Sequence, residues 1–204
     1  VPLLSSVALL LGVTAAGAQT PTPKKKYEFA HERTISQSYT VSSNDKLDIE
    51  NQFGNVNVKT WNKNEVKVDI KIEVSSNVKE AAQHIFDNID VEHRKNGNVV
   101  KFSTELNAKD EKGFKGKHNN TMSIDYEVMM PANLQLDLEN KFGKTTLPDL
   151  QGRVNVEQEF GDLYAGKLSN PGKIEVRYGG VIIESAVNGK YEFGYASSEA
   201  TIKN

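Results

Sequence analysis

The sequence of 204 residues contains no cysteine. This absence excludes disulfide frameworks, thiolate metal sites, thiol nucleophiles and an N-terminal cysteine that could carry lipid. Histidine is scarce, with four residues, and tryptophan occurs once. The formal net charge is -2, so no charge excess indicates binding to nucleic acid or to an anionic membrane. We therefore predict no nucleic-acid partner.

Short motifs of catalysis and cofactor binding are also absent from the sequence. It contains no HExxH zinc motif, no GxxxxGK phosphate loop and no GxSxG nucleophile elbow. Neither EF-hand spacing nor a GGxGxD calcium repeat is present. We therefore predict no catalytic residue, no cofactor and no metal site, and expect that the protein is not an enzyme.

The N-terminus has the pattern of an export signal. Residues 1–18, VPLLSSVALLLGVTAAGA, carry no charge and end in Ala16-Gly17-Ala18, a small-x-small pattern that a signal peptidase accepts. The basic start is missing, which a truncated chain beginning at Val1 explains, and the apolar run is too short for a membrane-spanning helix. We predict a signal peptide over 1–18 and no transmembrane segment after cleavage. The location would be the periplasm, the outer-membrane surface or the extracellular space.

A polar linker is predicted over residues 19–33, because QTPTPKKKYEF is rich in proline, threonine and lysine. From there the apolar residues recur with a period of two. This alternation is clearest over residues 65–74, 122–130 and 134–138. It predicts strands with one face in a core and the other in water.

Residues 75–89, SSNVKEAAQHIFDNI, break this period and place their apolar residues at helical spacing. Asn77 followed by Glu80 resembles a capping box at the helix start. Further on, Asn96-Gly97 lies between two alternating stretches and predicts a hairpin turn. We expect one short amphipathic helix that covers an end or face of the sheet.

An aromatic residue followed by glycine recurs every 18 residues in the C-terminal half, and an earlier copy lies near residue 53. A further aromatic follows 17 residues after the last pair, with alanine in place of glycine. A fixed short period of strands with turn glycines is typical of a solenoid. The repeat positions are Phe53, Gly54, Phe142, Gly143, Phe160, Gly161, Tyr178, Gly179 and Tyr195.

These repeats predict an all-β, single-domain β-solenoid over residues 34–204. The helix and hairpin would be inserted near its N-terminal end, over 62–131, with regular repeats over 132–204. Stacked coils would place the aromatic rings above one another inside one corner, where glycine lets the backbone bend without a clashing Cβ. Antiparallel hairpins in a sandwich are the alternative. Since the chain stops inside a repeat without a polar cap, we expect that the natural protein continues or that a partner covers this end.

The stretches LDIENQFGNVNVKTW and IDYEVMMPANLQLDLENKFG, together with the glycine-punctuated repeats, resemble an exported bacterial β-strand-repeat family. This family is labelled "putative adhesin" (the DUF4097-type domain), and the resemblance is strongest to its Bacteroidetes-like members. It extends from about residue 40 to the C-terminus. The resemblance implies an elongated β-solenoid in the cell envelope and an adhesin, with no catalytic residues.

Two hypotheses about function follow. In the first, the chain is a non-catalytic adhesin or surface interaction module whose solenoid face binds a protein or glycan ligand. In the second, it is a periplasmic scaffold or a sensor of envelope state, with a partner at the C-terminal end. A weaker alternative is a carbohydrate-active β-helix enzyme, since Glu157 and Glu159 would lie about 7 Å apart on one strand face.

Overall fold

The structure is a computed structural model that describes residues 27–107, 119–186, 189–194 and 200–202. The predicted signal peptide, the first part of the predicted linker and Tyr195 lie outside the described residues. Within them, the strands are β1 (Phe29–Thr40), β2 (Lys46–Gln52), β3 (Val56–Trp61), β4 (Glu65–Ser76), β5 (Ile89–Asn96), β6 (Val99–Leu106), β7 (Asn120–Pro131), β8 (Gln135–Lys141), β9 (Thr145–Leu147), β10 (Leu150–Glu159), β11 (Leu163–Arg177), β12 (Val181–Ala186), β13 (Lys190–Gly194) and β14 (Ala200–Ile202). The helix α1 spans Lys79–Asp87.

All of these strands belong to one 14-stranded sheet, so the prediction of an all-β chain with a short helix is confirmed. β1 begins at Phe29. Residues 29–33 therefore lie in the sheet and not, as predicted, in a linker. Their alternation of half-buried and exposed side chains is that of a strand, which the preceding lysines and prolines obscure in the sequence.

Strands of successive repeats pair in parallel along two ladders. The first ladder runs β6–β2–β8–β10–β11–β13. The second runs β7–β3–β9–β11–β12–β14. The long strand β11 belongs to both, because residues 163–168 pair in the second ladder and residues 173–177 in the first. The repeats are therefore not the antiparallel hairpins of the alternative prediction.

Antiparallel strands extend both ladders at one end of the stack. β4 and then β1 follow β7, and β5 follows β6. β1 and β5 are thus the two edge strands at this end of the stack, and they contact each other. Arg33 Nη2 donates to the Ile89 carbonyl at 2.7 Å, and the Tyr39 hydroxyl lies 2.9 Å from His93 Nδ1. The sheet is therefore nearly closed, with residues 62–131 adjoining β2 and β3.

The core lies between the ladders, where alternate side chains point inward. The predicted apolar face of β4 is fully buried: Val66, Val68, Ile70, Ile72 and Val74 are each 0% exposed. Leucines of β8 and valines of β10 continue this core. Burial of one such side chain contributes about 1.5–3 kcal/mol, so the alternating pattern is what fixes the strand register.

Helix α1 buries Ala81 and Ala82 and contacts β4, β1 and β5, so it covers the place where the sheet ends meet. The predicted capping box is wrong. The N-cap residue is Val78, and no side chain caps the helix. Asn77 instead accepts the Asn119 N–H at 2.9 Å, which joins the end of β4 to the start of β7.

The hairpin prediction is confirmed. β5 and β6 pair antiparallel up to Asn96 and Val99, and Gly97 has a φ of 57°. A left-handed φ is a conformation that glycine adopts without steric cost, which explains why an Asn-Gly pair marks this turn.

The glycines of the later aromatic-glycine pairs pack against the preceding repeat. A Cβ added at Gly143 would lie 1.8 Å from the Gly54 carbonyl oxygen, and one at Gly161 would lie 1.9 Å from the Gly143 oxygen. Gly179 stands in the same relation to Gly161, also at 1.9 Å. Each bend therefore needs glycine because the backbones of successive repeats touch.

We expect Gly143→Ala to lower the free energy of unfolding by about 3 kcal/mol or more, because the clash is with backbone that cannot move alone. Gly194→Ala is the matched control, since a Cβ there meets nothing within 4 Å. Denaturant unfolding of both variants measures the difference. Equal stability of the two variants would contradict the tight backbone packing at the bend.

Candidate functional site

Four aromatic rings stack into a column along one edge of the repeats. We define the aromatic column as Phe53, Phe142, Phe160 and Tyr178. The distances between successive ring centroids are 5.0, 4.9 and 4.7 Å, and the interplanar angles are 5°, 3° and 2°. The spacing equals the separation of neighbouring strands, so each repeat adds one ring to the column.

The backbone at these aromatic residues is left-handed. Their φ values are 63°, 56°, 51° and 56° in chain order. Such a conformation costs a non-glycine residue roughly 1–2 kcal/mol, and it is rare for bulky side chains. The bend is therefore made by the aromatic residue, while the following glycine provides the close approach described above.

The sequence predicts that the rings lie inside a corner of the stack, and this prediction is wrong. Phe142 is 49% exposed, and Phe160 and Tyr178 are each 47% exposed. The left-handed backbone explains the difference, because it turns the side chain out of the alternation that the preceding strand follows. The fifth predicted position, Tyr195, is outside the described residues.

Polar side chains fill the interior behind the column. Asn51, Asn140 and Gln158 occupy the position two residues before the aromatic in three repeats, and all are at most 1% exposed. Asn51 Nδ2 donates to Asn140 Oδ1 at 3.2 Å and to the Ile124 carbonyl at 3.1 Å. Gln158 Nε2 donates to the Gly143 carbonyl at 2.7 Å. These bonds satisfy a backbone carbonyl of β7 and one of the Gly143 bend, and leaving one such buried group unpaired costs about 1–3 kcal/mol.

Thr145 connects two members of this buried polar ladder. Asn140 Nδ2 donates to Thr145 Oγ1 at 3.2 Å, and Thr145 Oγ1 donates to Gln158 Oε1 at 2.6 Å. At the other end, Thr104 Oγ1 donates to Asn51 Oδ1 at 3.2 Å. The ladder thus holds successive bends in one register and positions the rings outside.

The outward side of the first ladder carries a row of glutamates at one register position. We define the glutamate row as the five residues that pair with one another across neighbouring parallel strands: Glu50, Glu139, Glu157, Glu175 and Glu192. Neighbouring strands are about 4.8 Å apart, so uncompensated carboxylates here would repel one another.

Cations on the same side compensate this row. Lys101 Nζ lies 2.5 Å from Glu50, Lys141 lies 2.8 Å from Glu139 and Lys190 lies 2.6 Å from Glu192. Lys173 contacts both Glu157, at 3.7 Å, and Glu175, and Arg177 donates to Glu175 and to Glu159. Every member of the glutamate row therefore has a cationic partner.

These contacts shift the ionisation of the row. The Lys101 hydrogen bond lowers the pKa of Glu50, and the Lys173 hydrogen bond lowers the pKa of Glu175. Asp48, on the same face, behaves in the opposite way, because burial raises its pKa. The face therefore carries alternating fixed charges near neutral pH.

Glu157 and Glu159 lie on the outward side of β10, as the enzyme alternative requires. Glu159 is bonded to Arg177 and lies 4.0 Å from Lys141. Glu157 borders a shallow hollow of about 360 Å³ that is also lined by Asp48, Asp137 and Lys173. Among the described residues, no group of three or more histidine, aspartate and glutamate side chains is arranged to hold a metal ion.

Sequence reasoning located the column residues but missed the glutamate row and the buried polar ladder. The ladder has a visible signal, since Asn, Asn and Gln stand two residues before Phe53, Phe142 and Phe160. A polar residue at an inward position reads as a break in the pattern unless its hydrogen-bond partners are known. The row has a signal too, namely glutamate at matching positions of LDIEN and LDLEN.

Comparison with known proteins gives only distant similarities. A "putative cell adhesion protein" of Clostridium sporogenes matches with a TM-score of 0.38 and 10% identity over 84% of this chain and 97% of that protein. A "putative lipid binding protein" of Parabacteroides distasonis gives 0.37 and 11%, over 78% of this chain and 62% of that one. A "putative adhesin" of Bacteroides fragilis gives 0.28 and 15%, over 89% and 95%. At these TM-scores the similarities carry no argument about this chain.

No family model matches the sequence, and no curated protein matches it either.

The described part of the chain has one helix, of nine residues, and none with the length and apolar character needed to cross a membrane.

We expect Phe160→Ala to destabilise the protein more than Phe160→Asn, by about 1 kcal/mol, because asparagine tolerates the left-handed backbone and alanine does not. Both variants lose two stacked ring contacts, worth about 0.5–1.5 kcal/mol each. Urea unfolding of the two variants and the wild type measures this. If Phe160→Asn were less stable than Phe160→Ala, the backbone at residue 160 would not be the source of the strain.

The lowered pKa of Glu175 means that its contribution to stability is present above the unfolded-state pKa, about 4.3, and is lost as pH falls through the lower folded-state value. We therefore expect Glu175→Gln to be less stable than wild type at pH 7, and the difference in stability to shrink as the pH falls below the unfolded-state pKa and towards the lower folded-state pKa. Thermal unfolding over this pH range measures the convergence. Glu184→Gln, on the exposed side of β12, is the control and should follow wild type throughout.

Proposed function

We propose that this chain is a non-catalytic interaction module of the bacterial cell envelope that belongs to the DUF4097-type adhesin family. In this proposal the two parallel ladders are the faces of a β-solenoid, and the aromatic column is one of its edges. The ligand is a protein or a glycan that lies along the repeats.

Three features support the solenoid. Strands of successive repeats pair in parallel and in register along both ladders. The bend residues stack with the spacing of neighbouring strands. Gly172 precedes the part of β11 that pairs in the first ladder, and Gly189 directly precedes β13, as in a chain that winds repeatedly around one core.

The observation that carries the binding proposal is the regular outward surface. The glutamate row and its cations form a shallow, open face with side-chain exposures from 10% to 49% among its five carboxylates and Lys173. Half-exposed aromatic rings border this face. Aromatic and arginine side chains are enriched at binding interfaces, and an open repetitive surface fits an extended ligand better than a small substrate.

Ion pairing makes the enzyme alternative weaker than this proposal. A general acid of a glycosidase needs a carboxyl group that stays protonated near neutral pH. Glu159 is instead bonded to the Arg177 guanidinium, and Glu157 faces Lys173. The export proposal depends on residues 1–18, and a periplasmic scaffold or sensor remains the competing hypothesis.

Protease accessibility on intact cells tests the proposal. We expect an epitope-tagged full-length protein to be cleaved on intact cells as completely as in a lysate, while a tagged periplasmic marker is cleaved only in the lysate. Cells carrying Glu139→Lys with Glu157→Lys should adhere less to a glycan or protein surface that wild-type cells bind. The matched control is Lys59→Glu with Glu127→Lys, which reverses an exposed ion pair of 2.9 Å on the second ladder. Protection until lysis would reject the surface module and favour the periplasmic scaffold.

A further inference from the structure

The aromatic column is more exposed than its structural role requires. Each bend would cost less with asparagine or glycine at the left-handed position. Stacking stabilises a ring pair by about as much as the strained backbone costs, so stacking alone gives little net gain. Exposed apolar surface that is repeated and continuous usually marks a contact with another molecule.

Two rows of side chains flank the column. The Lys141 row consists of the residues immediately before each aromatic: Gln52, Lys141, Glu159 and Arg177. The Lys144 row consists of the residues two positions after each aromatic: Asn55, Lys144, Asp162 and Gly180.

Hydrogen bonds fix the order of the Lys144 row. The Lys144 N–H donates to Asn55 Oδ1 at 3.0 Å, and the Gly180 N–H donates to Asp162 Oδ1 at 2.8 Å. The Thr145 N–H donates to the Asp162 carbonyl at 2.9 Å, which places Lys144 and Asp162 beside each other in neighbouring repeats. Both rows therefore have a cation beside Phe142 and an anion beside Phe160.

We propose that the aromatic column is a self-association strip that binds a second copy of this chain in antiparallel orientation. A two-fold axis between Phe142 and Phe160, perpendicular to the column, places Phe142 of one copy opposite Phe160 of the other. The same axis places Lys144 opposite Asp162, and Lys141 opposite Glu159. Because the axis is two-fold, each of these opposite-charge contacts occurs twice.

Charge complementarity selects this arrangement over a parallel one. A parallel dimer has its two-fold axis along the column, which exchanges the two flanks and places Lys144 opposite Lys141 and Asp162 opposite Glu159, so like charges face each other beside both central rings. Lys144 and Asp162 are both exposed, and neither has an ion-pair partner in the part of the chain that the structure describes. Lys144 Nζ instead lies 5.9 Å from the Tyr164 ring centroid, from where it can reach a facing carboxylate.

The strip is about four strands long, or roughly 15 Å at the usual strand spacing. A strip of this length and one ring in width buries less area than a stable interface, which buries roughly 800 Å² per partner. The dimer is therefore weak in solution and forms at high protein concentration, and salt weakens it further by screening the exposed pairs. This inference does not depend on the proposed cell-envelope function.

Sedimentation equilibrium of the full chain over a range of concentrations tests the proposal. We expect wild type to dimerise at high concentration and low salt. Lys144→Asp alone, and Asp162→Lys alone, should each weaken dimerisation about tenfold or more, since each creates two like-charge contacts. The double variant Lys144→Asp with Asp162→Lys should restore it, because the two charges have exchanged places and still face each other.

Two further variants keep the test decisive. If Asp162→Lys fails to fold because the Gly180 N–H loses its acceptor, Asp162→Asn removes the charge and keeps the acceptor, as Asn55 does in the equivalent place. Reversal of the Lys59–Glu127 pair, away from the strip, should leave dimerisation unchanged. A wild-type chain that stays monomeric at every concentration, or a dimer unaffected by both single reversals, overturns the proposal and leaves the strip to a glycan or a different protein.

Discussion

The structure depends on the contact between the backbones of successive bends. Gly143, Gly161 and Gly179 each lie against the carbonyl of the bend glycine before them, and Gly54 lies against the Ile124 carbonyl, at distances that no side chain would permit. This contact sets the separation of the repeats at the bend, and the parallel hydrogen bonds of both ladders require the same separation. The stacked rings, the buried polar ladder and the glutamate row all follow from it, because each places equivalent residues one strand spacing apart.

Such a stack has an energetic difficulty on each of its surfaces. Inside, backbone carbonyls at the Gly143 bend and in β7 are shielded from water, and the amides of Gln158 and Asn51 bond to them. Outside, identical register places like charges beside one another, and lysines from neighbouring positions separate them. The same regularity that creates these difficulties also makes the solutions repeatable, so a short sequence pattern can specify many strands.

Much of the fold could be predicted from the sequence. The period of two located the buried face of β4, and Asn96-Gly97 located the hairpin, because both signals are local. The helix was found, but not its cap, since the side chain of Asn77 is used by Asn119, which is distant in sequence. The repeat located the column residues, yet the prediction assigned the bend to the glycine, whereas the left-handed residue is the aromatic one before it. As a result, the rings were predicted to face the core, whereas they face the solvent.

The buried polar ladder stops at the fourth repeat, where Val176 takes the place that Asn51, Asn140 and Gln158 hold in the others. The bend at Tyr178 therefore keeps its ring and its glycine contact but lacks an amide behind it. Protection of backbone amides against hydrogen exchange should consequently be uneven along the stack, high near Asn51 and Asn140 and lower beyond Val176. The molecule thus has a stiff end beside the helix and a compliant end, so a force applied along its length would open it from one direction first.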